Sequence, residues 1–265
     1  MQPQARRPIG RCRSDAPRKS RFCWGIDRID ADISSTRAGN GSGAVGTVNA
    51  YILDSGISLH ADLNVVAHGN WTGDGKNFDC NGHGTHVAGT VGARDNVDHV
   101  VGAAPGVALT RLKVLDCAGS GSLSNVIAAV DWTTSYARRP VVANLSLSGA
   151  ASRALDDAVR RSAASGVLYV LAAGNSGVNA CKSSPARAGA GTNNGIITVA
   201  AIDVSNREPS WSNYGSCVDI WGPRGQHRVH LQQRPSRSCT QVGSETPPNQ
   251  PTIRAPAQRQ SHPTS

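Results

Sequence analysis

Short apolar runs recur along the middle of the chain, at Val48–Leu53, Ala108–Leu115, Val141–Leu147, Val167–Ala173 and Ile196–Ala201. Most are strand-length with few polar interruptions, the pattern of strands covered on both faces. Between them the spacing changes to that of helices. Leu123, Val126, Ile127 and Val130 fall at i, i+3, i+4 and i+7 behind Ser122, a residue type suited to cap a helix start. Leu155, Ala158 and Val159 form a second apolar stripe, which ends near Gly166. Strand–helix–strand repetition predicts an α/β fold whose parallel sheet carries helices on both faces. Sites in such sheets form beyond the carboxyl ends of the strands.

The two ends of the chain have a different texture. Residues 1–22 contain no apolar run that would serve as the core of a signal peptide. Residues 224–265 are rich in Gln, Pro, Arg and Ser and hold no aromatic residue, so burial there cannot offset the entropy cost of ordering. The expected organisation is a basic, unordered segment 1–22, a folded domain 23–223 and an unordered tail 224–265. A length of 265 residues suits one large domain of this kind.

Charge follows the same division. The net +9 comes from +6 in residues 1–22 and +5 in residues 224–265, which leaves −2 for residues 23–223. A domain with that balance has no surplus to steer toward phosphate, so nucleic acid is not an expected partner. No stretch approaches the roughly 18 consecutive apolar residues of a membrane span, so a membrane is not expected either.

Three segments stand where the sheet rule expects chemistry. The first strand runs into Asp54-Ser55-Gly56; a glycine-rich turn, Asn81-Gly82-His83-Gly84-Thr85-His86, opens a helix; the fourth strand ends in Ala172-Ala173-Gly174-Asn175. A carboxylate and an imidazole at neighbouring strand ends can form the orienting half of a nucleophilic triad: the carboxylate fixes the tautomer, and the second ring nitrogen takes a hydroxyl proton. An asparagine amide can donate to a developing oxyanion. Each residue alone has a plainer reading, Asp54 as a turn residue and Asn175 as part of a tight turn. His86 reads as a packed structural histidine.

Taken together and in order, the segments WGIDRID, YILDSGI, DCNGHGTHVAGTVG, RLKVLDCAGSGS, NLSLSG, AAGNSG, SPAR and SNYGSCVDIWGP resemble the subtilisin-like serine peptidases (peptidase family S8), and within them the proteinase K and aqualysin-like branch. The resemblance runs from about Trp24 to Pro223. It implies a three-layer subtilisin-like fold, incomplete at its C-terminal end, and serine-type endopeptidase activity on protein or peptide substrates by a monomer. In that reading Asp54 is the orienting acid, His83 the general base and Asn175 the oxyanion donor. Ser146, Leu147, Ser148 and Gly149, with Ala172, Ala173 and Gly174, line the substrate cleft, partly by pairing with peptide backbone as an added strand.

The same resemblance implies disulfides Cys80–Cys117 and Cys181–Cys217, each closing a loop of about 36 residues and worth roughly 3–4 kcal/mol. Such bridges imply an oxidising compartment, hence secretion. No cofactor is implied for catalysis, but a structural Ca²⁺ is, on Asp219 with carbonyls near Asn194 and Ile196, since oxygen ligands suit a hard cation. Asn40 and Asn70 begin N-x-S/T sequons.

The family's nucleophile stands in a Gly-Thr-Ser-Met-Ala motif at the start of a long helix, and no such motif occurs in this sequence. Ser236, Ser238, Ser244, Ser261 and Ser265 do not replace it; Gly243-Ser244-Glu245, for instance, is followed by Pro247-Pro248, which forbids a helix directly behind it. A chain so composed is expected to be impaired in catalysis and in stability. Its alternative role is a peptide- or inhibitor-binding remnant without turnover. The abrupt change of texture at both ends predicts that they are translated from a different frame than the middle or from unspliced sequence.

Overall fold

The computed structural model describes residues 24–96 and 100–223 and the backbone of residues 252–254. Segment 1–22 therefore lies outside the described residues, as does all of the tail except its short stretch 252–254.

Seven strands make one sheet in which every pairing is parallel. They are β1 (Asn49–Asp54), β2 (Val65–Asn70), β3 (Ala108–Lys113), β5 (Val141–Leu145), β7 (Leu168–Ala172), β9 (Ile196–Ile202) and β10 (Ile220–Pro223), in the spatial order β10-β9-β7-β5-β1-β3-β2. Helix α1 (Trp24–Arg28) precedes them. Helix α2 (His83–Gly92) packs on one face, and α3 (Leu123–Tyr136) and α4 (Arg153–Ala164) pack on the other.

Alternation along β1 shows why three layers form. Tyr51 and Leu53 join the core beneath α3 and α4, with Val126, Val130, Val159 and Leu171. Ala50 and Ile52 face the opposite way, into a core with Ala88 of α2 and Leu109 of β3. Both faces are therefore apolar, as the uninterrupted runs require. The expected cap is present, with Ser122 Oγ accepting from Asn125 N at 3.1 Å; the structure adds a second, Ser152, whose Oγ accepts from Leu155 N at 3.3 Å at the start of α4.

A second, small sheet of four short strands has the order β4-β11-β6-β8. Its members are β4 (Ser120–Ser122), β6 (Ser148–Ala150), β8 (Ser183–Ser184) and β11 (Thr252–Arg254). The strand at 252–254 lies within the segment 224–265 expected to be unordered, the rest of which is outside the described residues. Thr252 and Ile253 are β-branched, and they find an open backbone edge on either side, which residues judged by burial alone would not.

Two further differences have local causes. The run through Leu115 is cut at Lys113 because the chain turns there, and Val114 N and Leu115 N both donate to Asp54 O, at 2.9 and 3.2 Å. Edge strands β2 and β10 carry no apolar run, since much of each faces solvent, and so they leave little periodic signal.

Candidate active site

Asp54 is the last residue of β1 and is fully buried. His83 is the first residue of α2, with its side chain 29 % exposed. Its Nδ1 lies 2.8 Å from Asp54 Oδ1 and 2.9 Å from Oδ2. A buried carboxylate accepts from a protonated Nδ1, so the geometry favours the tautomer with the proton on that nitrogen and leaves Nε2 as a base. This contact needs α2 to approach β1 very closely. A Cβ on Gly84 would lie 2.1 Å from Gly56 O, so only glycine fits directly after His83.

Asn175 follows β7. Register pairs Ile52 with Asn144 and Asn144 with Val170, which sets Asp54, Ser146 and Ala172 level at the carboxyl edge of three successive strands. Strands in a sheet are about 4.8 Å apart, so Asp54 and the start of the Asn175 turn are separated by about 10 Å along that edge. Gly174 takes φ +113°, which turns the chain out of β7, and a Cβ there would meet Asn213 Nδ2 at 2.2 Å.

The remaining residues expected to line a cleft lie around the same edge. Ser146 Oγ is 2.9 Å from Asn144 Oδ1, and Ser148 and Gly149 belong to β6. Leu147 and Ala173 are buried side chains and can offer only backbone or the floor of a groove. His86 is half-buried on α2.

Three supporting residues escaped the sequence reading. Asp79 is buried, and its Oδ1 accepts from Ser55 Oγ at 2.9 Å, Asn81 N at 3.0 Å and Gly82 N at 2.8 Å. Its Oδ2 accepts from Thr85 N at 2.9 Å and from Thr85 Oγ1. Ser55 Oγ in turn accepts from Gly84 N at 2.9 Å. One carboxylate thus ties the residue after Asp54 to the turn on both sides of His83. The available signal was an acid four residues before His83, next to small and polar residues whose N–H groups must be satisfied at a helix start.

Asn213 does the same for the other turn. Its Oδ1 accepts from Ser176 N and Val178 N at 3.0 and 3.1 Å, and its Nδ2 donates to Ala173 O at 2.9 Å. Lys113, buried and level with Asp54 in the β1–β3 register, donates to Ser55 O and Leu115 O, both at 3.0 Å. Its charge lies 3.5 Å from Asp74 Oδ2. Burial acts to raise the pKa of Asp74, but hydrogen bonds from Asn70, Lys76 N and Thr72 and the charge of Lys113 outweigh it and hold the carboxyl well below the usual range. The Asn70 side-chain amide is occupied in this loop, donating to Asp74 Oδ1 and Lys76 O at 3.1 Å each.

Cysteines join Cys80 to Cys117 and Cys181 to Cys217, with Cα–Cα distances of 4.9 and 5.4 Å. Among the described residues one cluster of three acidic or thiol groups has metal-ligand spacing, Asp74 with Cys80 and Cys117, and its two sulfurs are already bonded to each other. Near the start of β9, Asp219 Oδ2 accepts from Thr198 N at 2.7 Å, and Asn194 Oδ1 accepts from Ile196 N at 3.0 Å.

Comparison with known proteins adds a consistent set of likenesses. A family model described as the subtilase family matches residues 48–255. The chain is 42 % identical over 210 residues to alkaline serine exoprotease A of Vibrio alginolyticus, across 77 % of this chain and 37 % of that protein. It is 44 % identical over 216 residues to an extracellular serine proteinase of Thermus sp. (strain Rt41A), across 76 % of this chain and 48 % of the relative. With subtilisin Savinase of Lederbergia lenta the identity is 41 % over 202 residues, and the alignment takes in 71 % of that protein. The chain thus spans less than half the length of the first two relatives. The crystal structure of a cold adapted subtilisin-like serine proteinase matches with a TM-score of 0.67 at 40 % identity, over 78 % of this chain and 74 % of the other.

Proposed function

The chain belongs to the subtilase family, and we propose that Asp54 and His83 are the acid–base half of a serine endopeptidase centre acting on protein or peptide backbones. The observation that carries this is the contact of His83 Nδ1 with both carboxylate oxygens of a fully buried Asp54. Asp54 holds the imaidazole in one tautomer and offsets the charge it gains; His83 Nε2 receives the proton of an attacking hydroxyl and returns it to the leaving amine. Asn175 donates its amide to the tetrahedral oxyanion. Ser146–Gly149 and Ala172–Gly174 receive the peptide, which adds to β6 as a strand.

No residue of this chain is assigned as the nucleophile. In a subtilisin, removing the serine alone costs on the order of 10⁶ in kcat, so the chain by itself is expected to turn over at most at that residual level. That deficit favours a second reading, a cleft that binds peptides without turnover. Asp219, with the carbonyls of Asn194 and Ile196, fits a hard cation such as Ca²⁺, because one carboxylate oxygen beyond the Thr198 contact and two backbone oxygens make an all-oxygen set. Catalysis itself calls on no cofactor. The two disulfides, and relatives such as the extracellular Thermus proteinase, support an extracellular location. We take the protein as a monomer with protein substrates and no nucleic-acid or membrane partner. Among the described residues no helix is long and apolar enough to cross a membrane.

Treatment with a fluorophosphonate, followed by intact-mass spectrometry, separates the readings. A stoichiometric adduct on a serine means that the chain supplies its own nucleophile and is a complete peptidase. No adduct, together with binding of a labelled peptide, gives the binding-only reading. Neither adduct nor binding would sink both.

A further inference from the structure

Strand β11 occupies the place where an added peptide strand is expected. It lies between β4 and β6 and pairs with both in parallel: Thr252 faces Ser120 and Ser148, and Ile253 faces Gly121 and Gly149. Ser148 and Gly149 are the residues proposed above to pair by their backbone with substrate. The other edge of β6 is taken by β8, through Gly149↔Ser184 and Ala150↔Ser183. Among the described residues, β11 is the strand that completes both β4 and β6.

We infer that residues 252–254 act as an intramolecular occupant of the peptide cleft, closing it to other chains until they are displaced. This rests on the cleft reading above and goes beyond it by naming a competitor on the same chain. Three observations support it. The two strands that flank the site are only three residues long and half-exposed, and among the described residues β4 pairs with no strand but β11, so it needs that partner to persist as a strand. A third strand between them satisfies backbone groups on both sides by hydrogen bonding that is independent of side chain. Finally, Thr252 lies 29 residues beyond Pro223, where the large sheet ends. A connection of that length can reach as far as about 100 Å, so the end of β10 places no restraint on entry to the cleft.

Competition sets the size of the effect. A segment tethered to its own site acts at an effective concentration on the order of millimolar, and it weakens a free peptide tenfold when its own dissociation constant is about a tenth of that. Ile253→Pro tests this in the full-length chain, because proline removes a ladder donor and is excluded from a central strand. The probe is a fluorescein-labelled peptide spanning residues 250–256, read by anisotropy. The expected result is binding to the Ile253→Pro chain at least tenfold tighter than to the unaltered chain, with an unchanged melting temperature. Hydrogen exchange at Gly121 and Gly149 should quicken at least tenfold in the variant, while exchange in β1 and β5 stays as it was.

Equal affinity for the two chains overturns the inference and leaves the peptide cleft standing. Binding to neither chain overturns the cleft reading, and the inference falls with it. A large fall in melting temperature also overturns it, since β11 would then be a fixed part of the fold. Thr252→Gly with Ile253→Gly repeats the test without proline, and its affinity change must have the same sign.

Discussion

The corner that holds Asp54 and His83 and the neighbouring pair β4 and β6 are built in contrasting ways. The corner rests on six-residue strands paired on both sides, with Asp79 and Lys113 buried beneath it and their polar atoms committed to named partners. Strands β4 and β6 are three residues long, and their residues are half-buried or exposed. General acid–base work depends on a hydrogen bond held within a few tenths of an ångström, which only an over-determined site maintains. Strand addition needs the reverse, a backbone edge left open for a partner. The proposed function asks for both, and the two regions are built accordingly: buried carboxylates and a lysine fix the corner on the large sheet, while short strands of the small sheet leave backbone for a partner.

The Cys80–Cys117 bridge links the two regions, joining the turn before His83 to the loop before β4. Breaking it with Cys80→Ser and Cys117→Ser should have the largest effect. In the chain-entropy model a loop of this length is worth about 4 kcal/mol, read as a shift of the urea midpoint at constant slope. A change below about 1 kcal/mol would mean that the corner is held by its hydrogen bonds alone and owes little to the bridge.

Asp79→Ala comes next. It leaves the N–H groups of Asn81, Gly82 and Thr85 and the Ser55 hydroxyl without their acceptor, an expected loss of about 3 kcal/mol. The His83 Nδ1–H resonance should broaden in the same variant, because the turn that places the ring has lost its tie to β1. A sharp, unshifted resonance would show that Asp54 positions the ring unaided, and the contrast with the cleft would weaken accordingly.

The smallest effect is a matter of pH. Asp74 is held below its ordinary pKa, so the unfolded chain binds its proton first as pH falls. Its contribution to stability is complete above about pH 4 and is lost progressively below that, as pH falls toward the lowered value. The melting temperature of Asp74→Asn should therefore fall less steeply than that of the unaltered chain between about pH 4 and pH 2. Parallel curves would show that the Lys113–Asp74 contact adds nothing beneath the corner.

Much of the architecture is visible in the order of residues. The runs at β1, β3, β5, β7 and β9 are continuous because both faces of a central strand are covered, and Ser122 announces α3 by its chemistry. What stays hidden has a physical explanation. Edge strands β2 and β10 lack an apolar pattern because part of each meets solvent. Strands β4, β6 and β8 are made largely of serine and glycine, and their pairing depends on backbone placement, which composition does not encode. Asp79 and Asn213 look like ordinary turn residues until the fold surrounds them with N–H groups.

Periodicity and residue chemistry are local properties, and they suffice to read from the order of residues the wound α/β scaffold, the places of Asp54, His83 and Asn175 at strand and helix ends, and the cysteines available for bridging. Long-range packing was needed to show that Asp79 binds the residue after Asp54 to the His83 turn, that Asn213 clamps the turn after β7, and that residues 252–254 lie between β4 and β6. Those are contacts between distant parts of the chain. They exist because a parallel sheet brings the carboxyl ends of separate strands to one edge, where groups far apart in sequence come within hydrogen-bonding distance.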